Sequence, residues 1–190
     1  MPSPVVELLA ALRDALEPIA PNWYLFGAQA ALLHGAARLT ADVDVTIDAG
    51  ARTLGELIDA LQCGGFTLRV AEPEPFVART RVIPLVHEAT GIPVDVVLAG
   101  TGLEQLFLQR AQLREIEGVG VRVASAEDVV VMKLLAGRTK DLDDVRAILS
   151  ARGKDLDRAL IRRTLQELEQ ALQRSDLVTT FERTRRRRRR

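Results

Sequence analysis

Residues 24–48 decide the fold of this chain, and they read YLFGAQAALLHGAARLTADVDVTID. A short apolar run from Trp23 to Phe26 ends at Gly27, and small residues typical of a helix follow as far as Gly35. Residues 42–48 then alternate polar and aliphatic side chains. A strict period of two predicts a β-strand with one apolar face and one acidic face. The stretch therefore predicts a strand, a glycine turn, a helix and a second strand.

The acidic face of the second strand carries Asp42 and Asp44. Two such side chains lie about 7 Å apart on one strand. Their repulsion is about 0.6 kcal/mol in bulk water and about 2 kcal/mol at an effective dielectric constant near 20. On an open edge the pair is a solvated face, whereas in a cleft a divalent cation offsets the repulsion. The pattern by itself leaves both interpretations open.

Charge is distributed unevenly along the chain. The formal net charge is zero, but Arg185–Arg190 are six consecutive arginines, and without them 20 basic residues face 26 acidic ones. An acidic body with a basic tail describes the chain better than its net charge does. Such a tail either binds RNA phosphates or has no function.

The composition predicts a cytoplasmic protein without membrane contact. One cysteine excludes an intrachain disulfide and favours a reducing compartment. The first 20 residues lack the basic start of a secretory signal, and no apolar run reaches membrane-spanning length.

The remaining patterns predict an α+β fold with a mixed sheet. Hydrophobic periodicity, glycines and capping boxes predict these elements up to residue 124: helix 4–17, helix 53–64, strand 66–70, hairpin arms 81–86 and 92–98, helix 101–110 and a hairpin over 112–123. Pro73 and Pro75 predict a loop. We therefore expect a mixed domain over residues 1–124.

The second half predicts helices only. Ser125 opens a helix that breaks at Gly137, and further helices are expected over 140–151 and 155–173. Residues 125–174 therefore predict a helical subdomain. Residues 175–190 are polar and then all arginine, which predicts a disordered tail.

A third carboxylate, Asp95, interrupts the apolar run of residues 92–98. A buried aspartate must be paired, ligated or neutralised. If its strand lies beside that of Asp42 and Asp44, the three form the oxygen-rich cluster that hard cations prefer. The pattern thus indicates a site for Mg²⁺ or Mn²⁺.

The helical half supplies positive charge near a helix break. Lys133, Arg138 and Lys140 are candidates for contacts with triphosphate oxygens, and Asp141 opens the next helix. Asp143 and Asp144 are expected to form solvated pairs on that helix. Acids for a metal and bases for phosphate are what nucleotidyl transfer requires, because its catalysis is largely alignment and charge neutralisation.

The ordered set of these residues resembles the nucleotidyltransferase superfamily, whose pattern is hG[GS], a spacer, D-h-D-h and a third acid on an adjacent strand. Arg38 and Thr40 before the D-x-D, with Lys133, Arg138 and Lys140-Asp141 after it, are similar to the AbiEii-type toxins of type IV toxin–antitoxin systems, which include the MenT toxins. The resemblance covers about residues 22–150. It implies a polymerase-beta-like mixed-sheet core with a C-terminal helical bundle.

The resemblance also implies a role for each residue. The metal ligands would be Asp42, Asp44 and Asp95, and Asp95 would also activate the acceptor hydroxyl. Lys140 and Asp141 would complete the catalytic set. The nucleotide would be bound by Gly27, Ala28, Arg38, Thr40, Lys133, Arg138 and Lys140. The expected reaction transfers NMP from an NTP to a hydroxyl, on RNA or tRNA, by a toxin with a cognate antitoxin.

Two other functions remain open at this point. A small-molecule transferase similar to the aminoglycoside or lincosamide nucleotidyltransferases has a similar opening motif, and an acidic body suits a cationic drug. A degenerate nucleotide-binding module is suggested by Ala28, which stands where the family has Ser or Gly and removes a hydroxyl contact.

Overall fold

The computed structural model of the chain describes residues 2–37, 40 and 42–186. The chain divides into two compact units. The sheet unit comprises Met1–Gln29 and Thr40–Ala124, and the helical unit comprises Ala30–Leu39 and Ser125–Arg190.

The sheet unit is built on one mixed sheet, which has seven strands within the described residues. In chain order they are β1 (Trp23–Phe26), β2 (Val43–Ile47), β3 (Phe66–Leu68), β4 (Val82–His87), β5 (Pro93–Leu98), β6 (Gln112–Ile116) and β7 (Val119–Val123). Their order across the sheet is β3-β4-β5-β2-β1-β7-β6. β2 runs parallel to β5 and β1 parallel to β7, and the other neighbours are antiparallel. The predicted strand of residues 42–48 is thus central, which explains why its aliphatic side chains are buried.

Helices alternate with these strands along the chain: α1 (Pro4–Leu16), α2 (Gly27–Leu33), α3 (Leu54–Cys63), α4 (Pro73–Thr80) and α5 (Leu103–Arg110). Strands of the sheet are contacted by α1, α3 and α4. α1 packs against α3 and β7 through the apolar positions predicted from its helical spacing. The approach is close enough to need a glycine, because a Cβ at Gly64 would lie 2.7 Å from the Cβ of Ala15.

The helical unit contains α6 (Ala126–Ala136), α7 (Thr139–Arg152), α8 (Arg158–Leu172) and α9 (Leu177–Arg186). Local chemistry sets the helix ends. The Ser125 side chain accepts a hydrogen bond from the Asp128 amide, and Gly137 ends α6 with a φ of +65°. α6 contacts α7, α8 and α9, and the fully buried Val130, Ile148 and Leu165 belong to the common core.

Two segments differ from the sequence prediction. Pro73 and Pro75 lie in the first turn of helix α4, not in a loop, because a first-turn residue needs no intrahelical N–H donor. The predicted disorder from residue 175 is wrong for 177–186, which form α9. Leu177 and Phe181 recur at helical spacing and are buried, so their burial offsets the charge of the arginines. The rest of the predicted tail, residues 187–190, lies outside the described residues.

The two capping boxes predicted in the sheet unit also differ in outcome. Thr53 and Glu56 form a reciprocal capping box at the start of α3, as predicted. Thr101 does not cap α5: Gly102 is the N-cap, and Glu104 instead accepts a hydrogen bond of 2.7 Å from the Gly100 amide. Among the described residues, no helix is both long enough and apolar enough to cross a membrane.

Candidate active site

Register in the sheet places two of the predicted carboxylates side by side. Asp44 on β2 pairs directly with Asp95 on β5, and the two strands are parallel. Directly paired residues on adjacent strands project to the same face, and the strands are about 4.8 Å apart. Both residues are partly exposed, whereas their neighbours Val43, Val45 and Val94 are fully buried. The two carboxylates therefore share one accessible face of the sheet.

The glycine turn between β1 and α2 lies against Asp44. Gly27 has a φ of +68°, a left-handed conformation that favours glycine. A Cβ built on Gly27 would lie 2.7 Å from Cγ of Asp44 and 2.9 Å from its Cβ. These distances are far below van der Waals contact, so only glycine fits beside this carboxylate. Ala28, the next residue, is buried.

Asp42 precedes β2 and is exposed. The Thr40 hydroxyl donates a hydrogen bond to Oδ1 of Asp42. Sequence reasoning placed Thr40 among the nucleotide-binding residues and Asp42 among the metal ligands, and in the structure the two side chains are bonded to each other. Arg38, another predicted nucleotide-binding residue, lies outside the described residues.

Arg69, which sequence reasoning missed, is bonded to the site. Its guanidinium forms an ion pair with Oδ1 of Asp95, and its Nε donates a hydrogen bond of 2.9 Å to the carbonyl oxygen of Leu85. Two carboxylates about 5 Å apart repel by about 3 kcal/mol at an effective dielectric constant near 20. Arg69 offsets part of that repulsion. Arg69 lies just after the end of β3. Nothing in the local sequence indicates that the pairing of β3 with β4 places this side chain beside Asp95.

Asp44 and Asp95 are neighbouring carboxylates of the kind that could hold a hard divalent cation. Mg²⁺ is commonly held by one or two carboxylates together with substrate phosphates, so a paired aspartate set is sufficient. The predicted convergence of three carboxylates is not found: among residues 2–37, 40 and 42–186, no three His, Cys, Asp or Glu side chains are arranged to hold a metal ion. In the structure Asp42 accepts a hydrogen bond from Thr40, and Asp95 is paired with Arg69.

The predicted phosphate-binding Lys133 lies in the helical unit within a buried ion cluster. Its Nζ is 3.2 Å from Oδ1 of Asp141 and 2.7 Å from Oδ2 of Asp144. Its side chain is 6% exposed, and those of Asp141 and Asp144 are 0% and 4% exposed. Lys133 therefore joins α6 to α7, and the expectation that Asp144 is solvated is wrong. The i,i+3 spacing of the two aspartates was the available signal, because it places both on one helix face.

Arg138 completes this cluster from its exposed side. Its Nε donates a hydrogen bond of 2.6 Å to Oδ2 of Asp141, while 62% of its side chain remains exposed. Burial disfavours the Asp141 carboxylate, but the hydrogen bonds from Arg138 and Lys133 outweigh that effect and hold its pKa below the usual value. Lys140 is exposed. Asp141 thus belongs to a cluster of two carboxylates and two cations, in which Arg138 is the solvent-accessible cation.

Several solved structures have a similar fold. The antibiotic-resistance factor ANT(2'')-Ia superposes with a TM-score of 0.58 at 18% identity, covering 90% of this chain and 94% of that one. An antigenic nucleotidyltransferase-like protein from Paracoccidioides brasiliensis gives a TM-score of 0.55 at 23% identity, covering 94% and 90%. JHP933 from Helicobacter pylori gives 0.51 at 13% identity, covering 96% and 91%. These likenesses confirm the predicted fold class.

Sequence comparison identifies the family directly. No curated protein matches the chain at a significant level. A protein family described as "Nucleotidyltransferase of unknown function (DUF6036)" matches residues 5–189, nearly the whole length. With the fold of its structural neighbours, this match makes the chain an enzyme of the nucleotidyltransferase class, and it belongs to the DUF6036 nucleotidyltransferase family.

Proposed function

We propose that this nucleotidyltransferase transfers NMP from an NTP to a hydroxyl group of RNA, with tRNA as the expected acceptor, in a reaction that depends on Mg²⁺ or Mn²⁺. The observation that carries the proposal is the direct pairing of Asp44 with Asp95 on parallel strands, next to a glycine turn that approaches Asp44. A paired carboxylate face beside a glycine turn suits a triphosphate and its cation.

The proposed reaction is an in-line displacement at the α-phosphorus. The acceptor oxygen forms a bond to that phosphorus, the bond to the bridging oxygen breaks, and pyrophosphate leaves. The hydroxyl proton passes to the Asp95 carboxylate. Arg69 contacts Oδ1 of Asp95, so Oδ2 is the oxygen assigned to the proton. The residues contribute alignment and charge neutralisation, which dominate phosphoryl-type transfer.

Asp44 and Asp95 are the residues that would hold the cation. A bound divalent cation would neutralise phosphate charge and lower the pKa of the attacking hydroxyl. Asp42 would join this set after release from Thr40. Gly27 and Ala28 would contribute their backbone amides. The roles that the family resemblance implies for the other residues stay predictions, to be tested one at a time by substitution of Arg38, Lys133, Arg138, Lys140 and Asp141.

We further propose that the enzyme is the toxin of a toxin–antitoxin pair. The support is the ordered resemblance to AbiEii-type toxins described above. A toxin of this kind would arrest growth on expression and would be neutralised by a cognate antitoxin. Growth arrest that depends on Asp44 tests this proposal separately from the chemistry.

The central experiment is transfer of label from each of the four α-³²P NTPs to total RNA with Mg²⁺. Label is expected to enter RNA with at least one NTP, and Asp44→Asn should reduce the rate by at least about 100-fold because it removes a carboxylate from the paired set. Asp48→Asn is the matched control, since Asp48 directly follows the same strand but lies after the last residue of β2 that pairs with β5.

Two results would count against this function. Labelling that is equal in the wild type and Asp44→Asn would exclude the paired carboxylates from the chemistry. NTP binding in a calorimeter without transfer to any acceptor would favour the degenerate module suggested by Ala28.

A second candidate acceptor is a small cationic drug. It is favoured by the fold similarity to ANT(2'')-Ia and by the 26 acidic residues of the chain. Expression should then raise resistance to an aminoglycoside or lincosamide instead of arresting growth, and the purified enzyme should label the drug in preference to RNA.

A further inference from the structure

The helical unit contains a basic groove between α8 and α9. The groove has a volume of about 310 Å³, and its charged lining consists of four arginines and one glutamate: Arg158, Arg162, Arg163, Arg185 and Glu182. Three of the arginines belong to α8, where Arg158 and Arg162 are four residues apart and share one helix face, and Arg163 is the next residue along the chain. The groove therefore carries a formal charge of +3.

The internal contacts of the groove leave part of this charge available. Glu182 forms ion pairs with both Arg162 and Arg185, at 2.7 Å from the latter. Arg158 donates a hydrogen bond to the Gly153 carbonyl oxygen, a neutral acceptor. Arg163 is exposed. One carboxylate thus fixes two arginines in place, while the positive charges of Arg158 and Arg163 are not neutralised by it.

The excess of positive charge extends beyond the groove to the whole C-terminal part of the sequence. The last 39 residues contain 13 basic and 6 acidic residues, a net charge of +7, whereas residues 1–151 contain 13 basic and 20 acidic residues, a net charge of −7. Arg185 lines the groove and is also the first of the six consecutive arginines. Like charges four residues apart destabilise a helix. A helix face that was merely solvated would therefore not need several arginines gathered at one groove.

We infer that the α8–α9 groove binds the phosphate backbone of the RNA acceptor, an inference that rests on the proposed function. Guanidinium groups are suited to phosphate because their planar fork donates two parallel hydrogen bonds. The aromatic residue of the groove, Phe181, is 1% exposed and has no face open for stacking on a base. Contacts through phosphates and not through bases give binding without sequence preference.

The test is fluorescence anisotropy of a 5′-labelled 20-nucleotide mixed-sequence RNA with the full chain, without NTP, between about 50 and 200 mM salt. Arg158→Gln combined with Arg163→Gln leaves the bridge through Glu182 intact. This double variant should weaken binding about tenfold and reduce the slope of log K against log salt by about 1.4, since each lost phosphate contact removes about 0.7. The matched control, Arg79→Gln with Arg114→Gln, removes two exposed arginines of the sheet unit and should leave the affinity unchanged.

Several outcomes would overturn the inference. Equal weakening by the control pair would assign binding to overall charge, and binding to phosphatidylserine vesicles without binding to RNA would assign the groove to a membrane surface. If the double variant does not fold, Arg163→Gln alone must reduce the slope by about half as much.

The two proposals fail in different ways. RNA binding without nucleotide transfer would refute the proposed function and leave the groove assignment standing. Transfer to RNA with an unchanged KM for RNA in Arg158→Gln/Arg163→Gln would refute the groove assignment and leave the proposed function standing.

Discussion

Gly27 and Asp44 are the two residues on which the candidate site most directly depends. Gly27 needs a left-handed backbone conformation, and its missing side chain makes room for the Asp44 carboxylate. The sequence predicted a glycine turn followed by an acidic strand. It did not predict that Gly27 and Asp44 lie so close together that a methyl group on Gly27 would clash. That closeness follows from the antiparallel register of β1 with β2.

The first prediction separates two effects of a side chain at Gly27: the clash with Asp44 and the strain of a left-handed backbone. Gly27→Ala should abolish transfer and destabilise the fold by more than the roughly 1–3 kcal/mol typical of a strained backbone position. Gly50→Ala is the control, because Gly50 also has a positive φ, +54°, but a Cβ there meets nothing within 4 Å. Thermal unfolding and transfer assays measure both effects, and equal losses in the two variants would contradict the steric argument.

The second prediction concerns Arg69. If Asp95 holds a cation as proposed, Arg69 competes with that cation for the carboxylate, so Arg69→Gln should bind Mg²⁺ at least about threefold more tightly by calorimetry without nucleotide. The stability cost should stay within about 1 kcal/mol, since the pair is partly exposed. Arg79→Gln, on the exposed side of α4, is the control. Unchanged or weaker Mg²⁺ binding in Arg69→Gln would show that Arg69 does not compete.

Packing between neighbouring elements explains where the sequence prediction succeeded and where it failed. The hairpins β4–β5 and β6–β7 and the helices α1, α3, α6, α7 and α8 follow patterns visible in the sequence, because periodicity reports burial locally. α4 and α9 were missed, since prolines and arginines are typical of loops and tails when taken alone. Their buried faces, at Val77 on α4 and at Phe181 on α9, become evident only against neighbouring elements.

The third prediction tests the ion cluster that joins α6 to α7. Lys133→Met removes the ammonium shared by two buried carboxylates and should cost about 3–5 kcal/mol in the free energy of unfolding, measured with urea. Lys140→Met, an exposed position near the start of α7, should change it by less than about 0.5 kcal/mol. A small effect of Lys133→Met would mean that Lys133 is available for the phosphate contact implied by the resemblance.

The fourth prediction tests the last helix. Phe181→Ala should destabilise the protein by about 3–5 kcal/mol because it deletes a large buried side chain. Thr179→Ala, on the exposed face of the same helix, should have little effect. If both variants unfold like the wild type, the sequence prediction of a disordered tail would be restored.

The whole molecule combines an acidic body with a basic end, and its response to pH follows from groups buried within it. The pKa of Asp141 in the folded protein lies below its value in the unfolded chain, which is about 3.9. Its contribution to stability is therefore complete above about pH 4 and is lost as the pH falls through the folded-state pKa.

The fifth prediction follows from that sign. The wild type should lose stability below about pH 4, and Asp141→Asn should be less stable at pH 7 but lose less on acidification. Asp143→Asn is the control on the same helix, because Asp143 is exposed and pairs only at the surface with Arg146. Urea unfolding at pH 7, 4 and 3 measures the effect, and parallel pH profiles for the wild type and Asp141→Asn would contradict it.

The sequence by itself determined the alternation of carboxylates, the glycine turn and most helices and strands, because these depend on neighbours within a few positions along the chain. The class of chemistry was implied by the resemblance of the ordered set of residues to the nucleotidyltransferase superfamily. Only the tertiary structure decided that Asp44 faces Asp95, that Arg69 binds Asp95, that Lys133 is buried between two aspartates and that four arginines line one groove. Strand order and helix packing bring residues together across tens of positions. No local pattern encodes which distant charge will become a side chain's partner.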